Sequence, residues 1–325
     1  MLLPFVCASP PLLLLFRWRR SWRRAATNSS NHGETDDGFA FYRPRTQATA
    51  HRMAQGRNFD AQSVLDFSIK LARDAGGIIT KGRESLREDI AQNFDSIIKK
   101  NTSDLVTKTD QDTEDFVRAQ IKQHYGDDAR LIGEESYAAG DEAKIEGDDR
   151  LVFITDPIDG TTNFVANFPF FCISIAVWHN SQPLVGVVYA PLLDRLYYGR
   201  TGAGSFLVTP SSSSPRQLPL QKPLPLTELK HALIALEWGS DRSAETVNRK
   251  ATTMERLASK DGNMVRGIRS IGSAALSCCF VAEGSLDLYH EVGCWVSVIV
   301  DWVAGNHWLV LTPHVTWLLN CLTLI

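Results

Sequence analysis

An α/β (α+β) fold is predicted by three features of the 325-residue chain: a helical apolar stripe, two short apolar runs that each end in carboxylates, and a later series of β-rich runs. The first helix begins at Asp60, with Val64, Phe67, Leu71, Ala75 and Ile78 on one face, and stops at the glycines before Lys81. Ser103 to Asp110 leads into a second helical pattern in which Val117, Ile121 and Tyr125 recur until Gly126, so Asp110 marks a helix start. Ala129 to Ile132 and Leu151 to Ile154 read as strands. Phe171 to Trp178, Leu184 to Tyr189 and Arg195 to Tyr198, separated by turn residues, suggest an antiparallel meander. Gly199 to Gly204 lies between strand-like runs and lacks a P-loop lysine, which makes it a turn. Ser- and Pro-rich composition makes residues 211–228 a surface loop. Beyond it come a strand at Ala232 to Leu236, a helix near Ala244 to Ser259, and a helical pattern that starts at Gly272-Ser273-Ala274-Ala275.

Composition bounds the class. At 44% hydrophobic residues and a net charge of -3, the chain offers no field for nucleic acid, and no apolar run approaches the ~20 residues of a membrane span. The six cysteines show no Cys-x-x-Cys spacing and read as reduced core thiols of a cytoplasmic protein. Residues 1–52 differ in character: five arginines lie between Arg17 and Arg24, and the first acid is Glu34. Two readings follow, translation from Met53 or a mitochondrial transit peptide. The remaining divisions are 53–210, an α+β half with the metal site; 229–295, the start of a second αβ half; and 296–325, an atypical tail.

The most informative segment is Asp156-Pro157-Ile158-Asp159-Gly160-Thr161-Thr162-Asn163, which sets two carboxylates three residues apart on a loop directly after a strand. Hard divalent cations take oxygen ligands, typically one or two carboxylates with substrate phosphate oxygens and water. Asp156, Asp159 and the Ile158 carbonyl supply such oxygens, and Gly160 permits a sharp turn. Alone, an Asp-Pro turn with solvated acids would explain these residues as well. Glu134 and Glu135, after the preceding strand, bring further carboxylates, and Asp110 adds another although it also suits a helix cap.

Five separated motifs resemble the inositol monophosphatase family of magnesium-dependent, lithium-sensitive phosphatases: Asp104 to Gln111, Gly133 to Ser136, Asp156 to Asn163, Gly267 to Ala275 and Tyr289 to Trp295. The resemblance runs from about Asp60 to Trp295. It implies a layered αβαβα sandwich, hydrolysis of inositol monophosphate or another small phosphate monoester, Mg2+ as cofactor and a homodimer. By the same resemblance, Glu134, Asp156, Ile158 and Asp159 would bind metal. Asp110 and Thr161, with Glu134, would position and deprotonate the attacking water. Gly160, Thr161, Thr162, Gly272, Ser273, Ala274 and Glu291 would contact substrate, Glu291 by accepting hydrogen bonds from polyol hydroxyls. Spacing alone leaves a packing role open for the small residues at 272–274. His290 reads as a strand residue, and Arg195 and Arg269 as partners in structural ion pairs.

After Trp295 the chain departs from the family. The expected Asp close behind Trp is absent, and Asp301 keeps the Asp-x-x-Ala-Gly spacing five residues late. Metal sites tolerate well under an ångström of misplacement. Asp301 therefore serves as a ligand only if an insertion swings it back. Alternatively, Val296-Ser297 can be encoded by a 5′ splice-like signal, and the tail is translated intron. Either way the C-terminal portion is expected to be truncated, leaving open strand edges, and a non-catalytic binding variant is the competing functional class.

Overall fold

Asp60 starts helix α1 (Ala61–Ile97) by accepting hydrogen bonds from the backbone N–H groups of Gln62, at 3.3 Å, and Ser63, at 3.0 Å. The structure, a computed structural model, describes residues 58–97, 103–138, 149–220, 226–239, 241–292 and 308–311. Val64, Leu71, Ala75 and Ile79 are buried along α1, and Phe67 packs beside them. The helix does not stop at its glycines, because Gly76 lies flat against the Tyr189 ring and is there for packing. Helix α2 (Ser103–Tyr125) starts earlier than expected, so Asp110 lies about two turns inside it rather than at its start. Ser103-Asp104 offers the same capping residue types one motif upstream.

Strand β1 (Ala129–Gly133) pairs in parallel with β2 (Leu151–Asp159). From β2 the chain continues as an antiparallel meander through β3 (Cys172–His179), β4 (Gln182–Ala190), β5 (Arg195–Arg200), β6 (Gly204–Thr209) and β7 (Ser212–Gln217). Their order makes one seven-stranded sheet. Two differences from the sequence reading appear here. Asp156 to Asp159 stay in strand conformation, with a shift of register between them, instead of leaving as a loop. Ser212–Gln217 is a strand where a Ser/Pro-rich loop was expected, because β6 presents an edge whose backbone groups it satisfies.

A second sheet has the order β11-β10-β8-β9, built from β8 (Leu233–Leu236), β9 (Gly267–Arg269), β10 (Leu288–Val292) and β11 (Trp308–Leu311). β11 pairs antiparallel with β10, so the outer edge of β10, expected to be open, is occupied. Helix α5 (Ala244–Ala258) covers one side of this sheet through Leu257. Between the two sheets runs helix α6 (Ala274–Glu283), in which every residue is buried. A helix that is apolar all round belongs in an interior. Its Leu276, Cys279 and Val281 join Ala176, Val188 and Tyr197 of the first sheet and Ala235 and Tyr289 of the second in one core. With α1 and α2 on the far face of the first sheet, the layers run α-β-α-β-α, the expected sandwich. Each large apolar side chain so buried contributes about 1.5–3 kcal/mol. Among the described residues no helix is long and apolar enough to cross a membrane.

Candidate active site

Because β1 and β2 are parallel and pair Gly133 with Thr155, the next residues of each, Glu134 and Asp156, leave that part of the sheet side by side. Glu134 and Glu135 open the short helix α3 (Glu134–Ala138). From the adjoining helix α2 come the buried Thr109, Asp110, Thr113 and Glu114. Parallel strand ends in α/β sheets are where ligands generally bind.

These acids raise one another's pKa. Burial, then Glu135, Glu134 and Glu114, pushes Asp110 up to about 8. Burial is also the main cause that lifts Glu134 to about 7, with Glu135, Asp159 and Glu114 adding to it. Asp156 is raised well above the ordinary carboxylate range by burial and by Glu134 and Asp159. Its carboxyl group faces that of Glu134 within hydrogen-bonding reach, yet neither Asp156 oxygen receives an N–H or O–H donor among the described residues. A buried carboxylate without a donor needs a proton or a cation. This donor set fits a hard cation. No three acidic, His or Cys side chains among the described residues converge at ligation distance, so the expected set is not preformed.

Asp159 explains why. Its carboxylate is turned to the start of α6, where it accepts the Ser273 hydroxyl and the backbone N–H groups of Ala275, at 2.8 Å, and Ala274, at 3.3 Å. Cys172 Sγ also points at it, at 3.7 Å. Burial raises Asp159, and these donors offset part of that rise. Ser273 and Ala274, which the resemblance gives to substrate, are therefore engaged by a side chain of the chain itself. Ser273 caps the helix, accepting from Leu276 N–H.

Of the other expected residues, Ile158 is fully buried and its carbonyl accepts the Thr161 hydroxyl at 3.1 Å. Thr161 opens helix α4 (Thr161–Ala166) after Gly160, which adopts the left-handed φ of 91°. Thr162 is exposed, as is Gly272. Glu291 lies on β10, buried, and receives the Tyr289 hydroxyl. Burial lifts its pKa to about 7, the Tyr289 hydrogen bond opposes, and Glu237 adds to the rise. It lines a small cleft with Glu237, Lys250 and His290. His290 is a strand residue, as expected, and burial lowers its pKa to about 4. Arg195 forms a structural ion pair with Glu283, whereas Arg269 donates to the Ile268 carbonyl. Asp301 lies outside the described residues, as do the other tail residues save β11.

Two acids carry more of the site than their sequence context suggested. Glu114 accepts from the backbone N–H of Glu135, at 2.9 Å, and from Arg118, at 2.8 Å, so it anchors the start of α3. Its place one helical turn after Asp110 was the available signal. Glu237 directly follows apolar β8, the same pattern that singled out Glu134, and it holds the turn before α6.

The layered sandwich with a buried carboxylate cluster at parallel strand ends is that of a phosphoric monoester hydrolase, a class that rests on the chain's family and relatives. The inositol monophosphatase family pattern matches residues 60–307, and the chain belongs to that family. It is 39% identical over 236 residues to inositol monophosphatase 1 of Rattus norvegicus, covering 72% of this chain and 77% of that protein. The inositol monophosphatase of Anabaena (Nostoc) sp. PCC 7120 superposes with a TM-score of 0.57 at 25% identity, over 78% of this chain and 91% of that one. An inositol monophosphate-bound structure of SaIMPase-II superposes with a TM-score of 0.51 at 27% identity, over 72% and 76% of the two chains.

Proposed function

We propose that the protein hydrolyses inositol monophosphate to inositol and phosphate with Mg2+ as cofactor. The observation that carries this reading is Asp156, a buried carboxylate facing Glu134 with no N–H or O–H donor to either oxygen among the described residues. Glu134, Asp156 and the Ile158 carbonyl would hold the cation, and Asp159 would join them on exchanging its α6 donors. Bound Mg2+ supplies charge neutralisation of the ester oxygens and acidifies a water. Asp110, buried and raised to about 8, is suited to take a proton, and Thr161 to orient the water. Glu291 receives the Tyr289 hydroxyl, and its carboxylate suits the vicinal hydroxyls of a polyol.

A homodimer, lithium sensitivity and a cytoplasmic setting belong to the same proposal. The buried thiols of Cys172, Cys278 and Cys279 support the last. The mitochondrial alternative rests on residues outside the described range.

Phosphate release from inositol monophosphate, measured with Mg2+ and with EDTA, tests the reading. Metal-dependent release that falls at least about 100-fold in Asp156→Asn is expected. No release, or release unchanged in Asp156→Asn, overturns it.

A further inference from the structure

Helix α6 is preceded by the short turn Ser270-Ile271-Gly272, and two side chains from different parts of the fold grip that turn from opposite sides. Glu237, at the end of β8, accepts the backbone N–H of Ile271 at 2.6 Å, that of Gly272 at 3.1 Å, and the Ser270 hydroxyl at 2.9 Å. Asn163, on α4, donates through Nδ2 to the Ile271 carbonyl at 2.8 Å, the Gly272 carbonyl at 3.3 Å and the Phe170 carbonyl at 2.7 Å. The N–H edge of the turn is thus held from the end of β8 and its C=O edge from α4. Gly272 sits at φ +76°, and a Cβ there would meet the Asn163 side chain at 3.0 Å. Position and conformation of the turn are both set by this grip.

Glu237 also stands beside Glu291. β8 and β10 are parallel and pair Leu236 with His290, so the two acids follow as neighbours on adjacent strands. Both line the same small cleft. Three donors occupy Glu237, whereas Glu291 receives the Tyr289 hydroxyl. The chemistry divides between them: Glu237 is committed to the turn, and Glu291 is the carboxylate that the proposed function gives to polyol hydroxyls.

We propose that Asn163 and Glu237 are positioning residues for polyol selection, fixing the Ser270–Gly272 turn against Glu291 so that the ring hydroxyls of the ester, not its phosphate, are discriminated. This rests on the inositol monophosphate reading above. Among the described residues the hydrogen bonds of both side chains go to the turn and to Phe170, not to Glu134 or Asp156, so the larger effect is expected on ligands that carry hydroxyls.

The test compares the full chain with Glu237→Gln and Asn163→Asp, which conserve shape and remove acceptor or donor capacity. Calorimetric titration with Mg2+ and either inositol monophosphate or inorganic phosphate gives two affinities for each protein, and hydrogen exchange reports on the Ile271 and Gly272 amides. Expected are faster exchange at the turn, affinity for inositol monophosphate lowered about tenfold or more, and affinity for phosphate changed less than about twofold. Equal losses for both ligands, unchanged affinities despite faster exchange, or a parent chain that does not prefer inositol monophosphate would each overturn the inference. Hydrolysis is tested separately through Asp156, so lost turnover with retained selectivity and retained turnover without selectivity identify different failures.

Discussion

The carboxylate of Asp159 accepts the hydroxyl of Ser273, although 114 residues separate them in sequence. One belongs to the first sheet and the other caps the central helix, so this contact and its two accompanying amide hydrogen bonds link the halves of the molecule. Replacing Asp159 with Asn turns one acceptor into a donor facing the amides of α6. Urea unfolding should show a loss of about 1–3 kcal/mol for Asp159→Asn. In a double-mutant cycle with Ser273→Ala, a coupling energy above about 0.5 kcal/mol is expected, and independent effects would argue against the linkage.

Asp156 should show the opposite balance. Among the described residues its buried carboxyl group faces Glu134 without an N–H or O–H donor, and an amide in its place donates to Glu134 and cannot ionise. Metal-free Asp156→Asn should therefore be more stable than the parent, by on the order of 1 kcal/mol, while losing phosphatase activity. Melting curves in EDTA decide this, and a less stable variant would contradict the assignment of Asp156 as an uncompensated acid.

Gly133 precedes Glu134, and a Cβ on it would lie 2.1 Å from the Glu114 carboxyl carbon. That carboxylate cannot swing aside cheaply, since Glu135 N–H and Arg118 both hold it. Gly133→Ala should cost about 1–3 kcal/mol by overpacking and should weaken Mg2+ binding by moving the start of α3. Thermal unfolding with and without Mg2+ measures both effects. A variant with parent-like melting and the same Mg2+-induced shift would show that Glu114 is not fixed.

Glu291 supplies a pH signature. Folding raises its pKa from 4.5 to about 7, chiefly through burial. The folded state therefore holds the proton more tightly than the unfolded chain, and the stability this confers is complete below about pH 4.5 and lost as the pH rises through 7. Glu291→Gln stays neutral throughout. Its stability relative to the parent should rise between pH 5 and pH 8, by up to on the order of 3 kcal/mol. Urea titrations of both proteins at the two pH values give the difference directly, and a pH-independent gap would rule out the shift.

Much of this architecture was legible in the residues themselves. The meander announced itself through β-rich runs cut by turns, and the carboxylates after β1 and β2 pointed to the site because acids rarely end an apolar strand without a task. What could not be read was how the carboxylates are spent. Asp159 resembles Asp156 in its motif, yet it faces a helix N-terminus contributed by residues far along the chain, and only the packing of α6 between the sheets reveals that. Local propensity also misplaced the start of α2, where two similar capping motifs compete, and the strand at Ser212–Gln217, whose polar residues are tolerated because β6 supplies its hydrogen bonds. Glu237 was missed because its partners, the Ser270 hydroxyl and two backbone N–H groups, belong to a turn 33 to 35 residues away.

Helix α6 is fastened at both tips. Asp159 holds its beginning, and at its end Glu283 is bound by Arg195 and by the Tyr197 hydroxyl, at 2.8 Å, both from the first sheet. Secured in this way, the helix behaves as a caliper rather than a hinge. The cleft beside Glu291 is thereby tied to the acidic end of the first sheet for as long as Asp159 keeps its α6 donors.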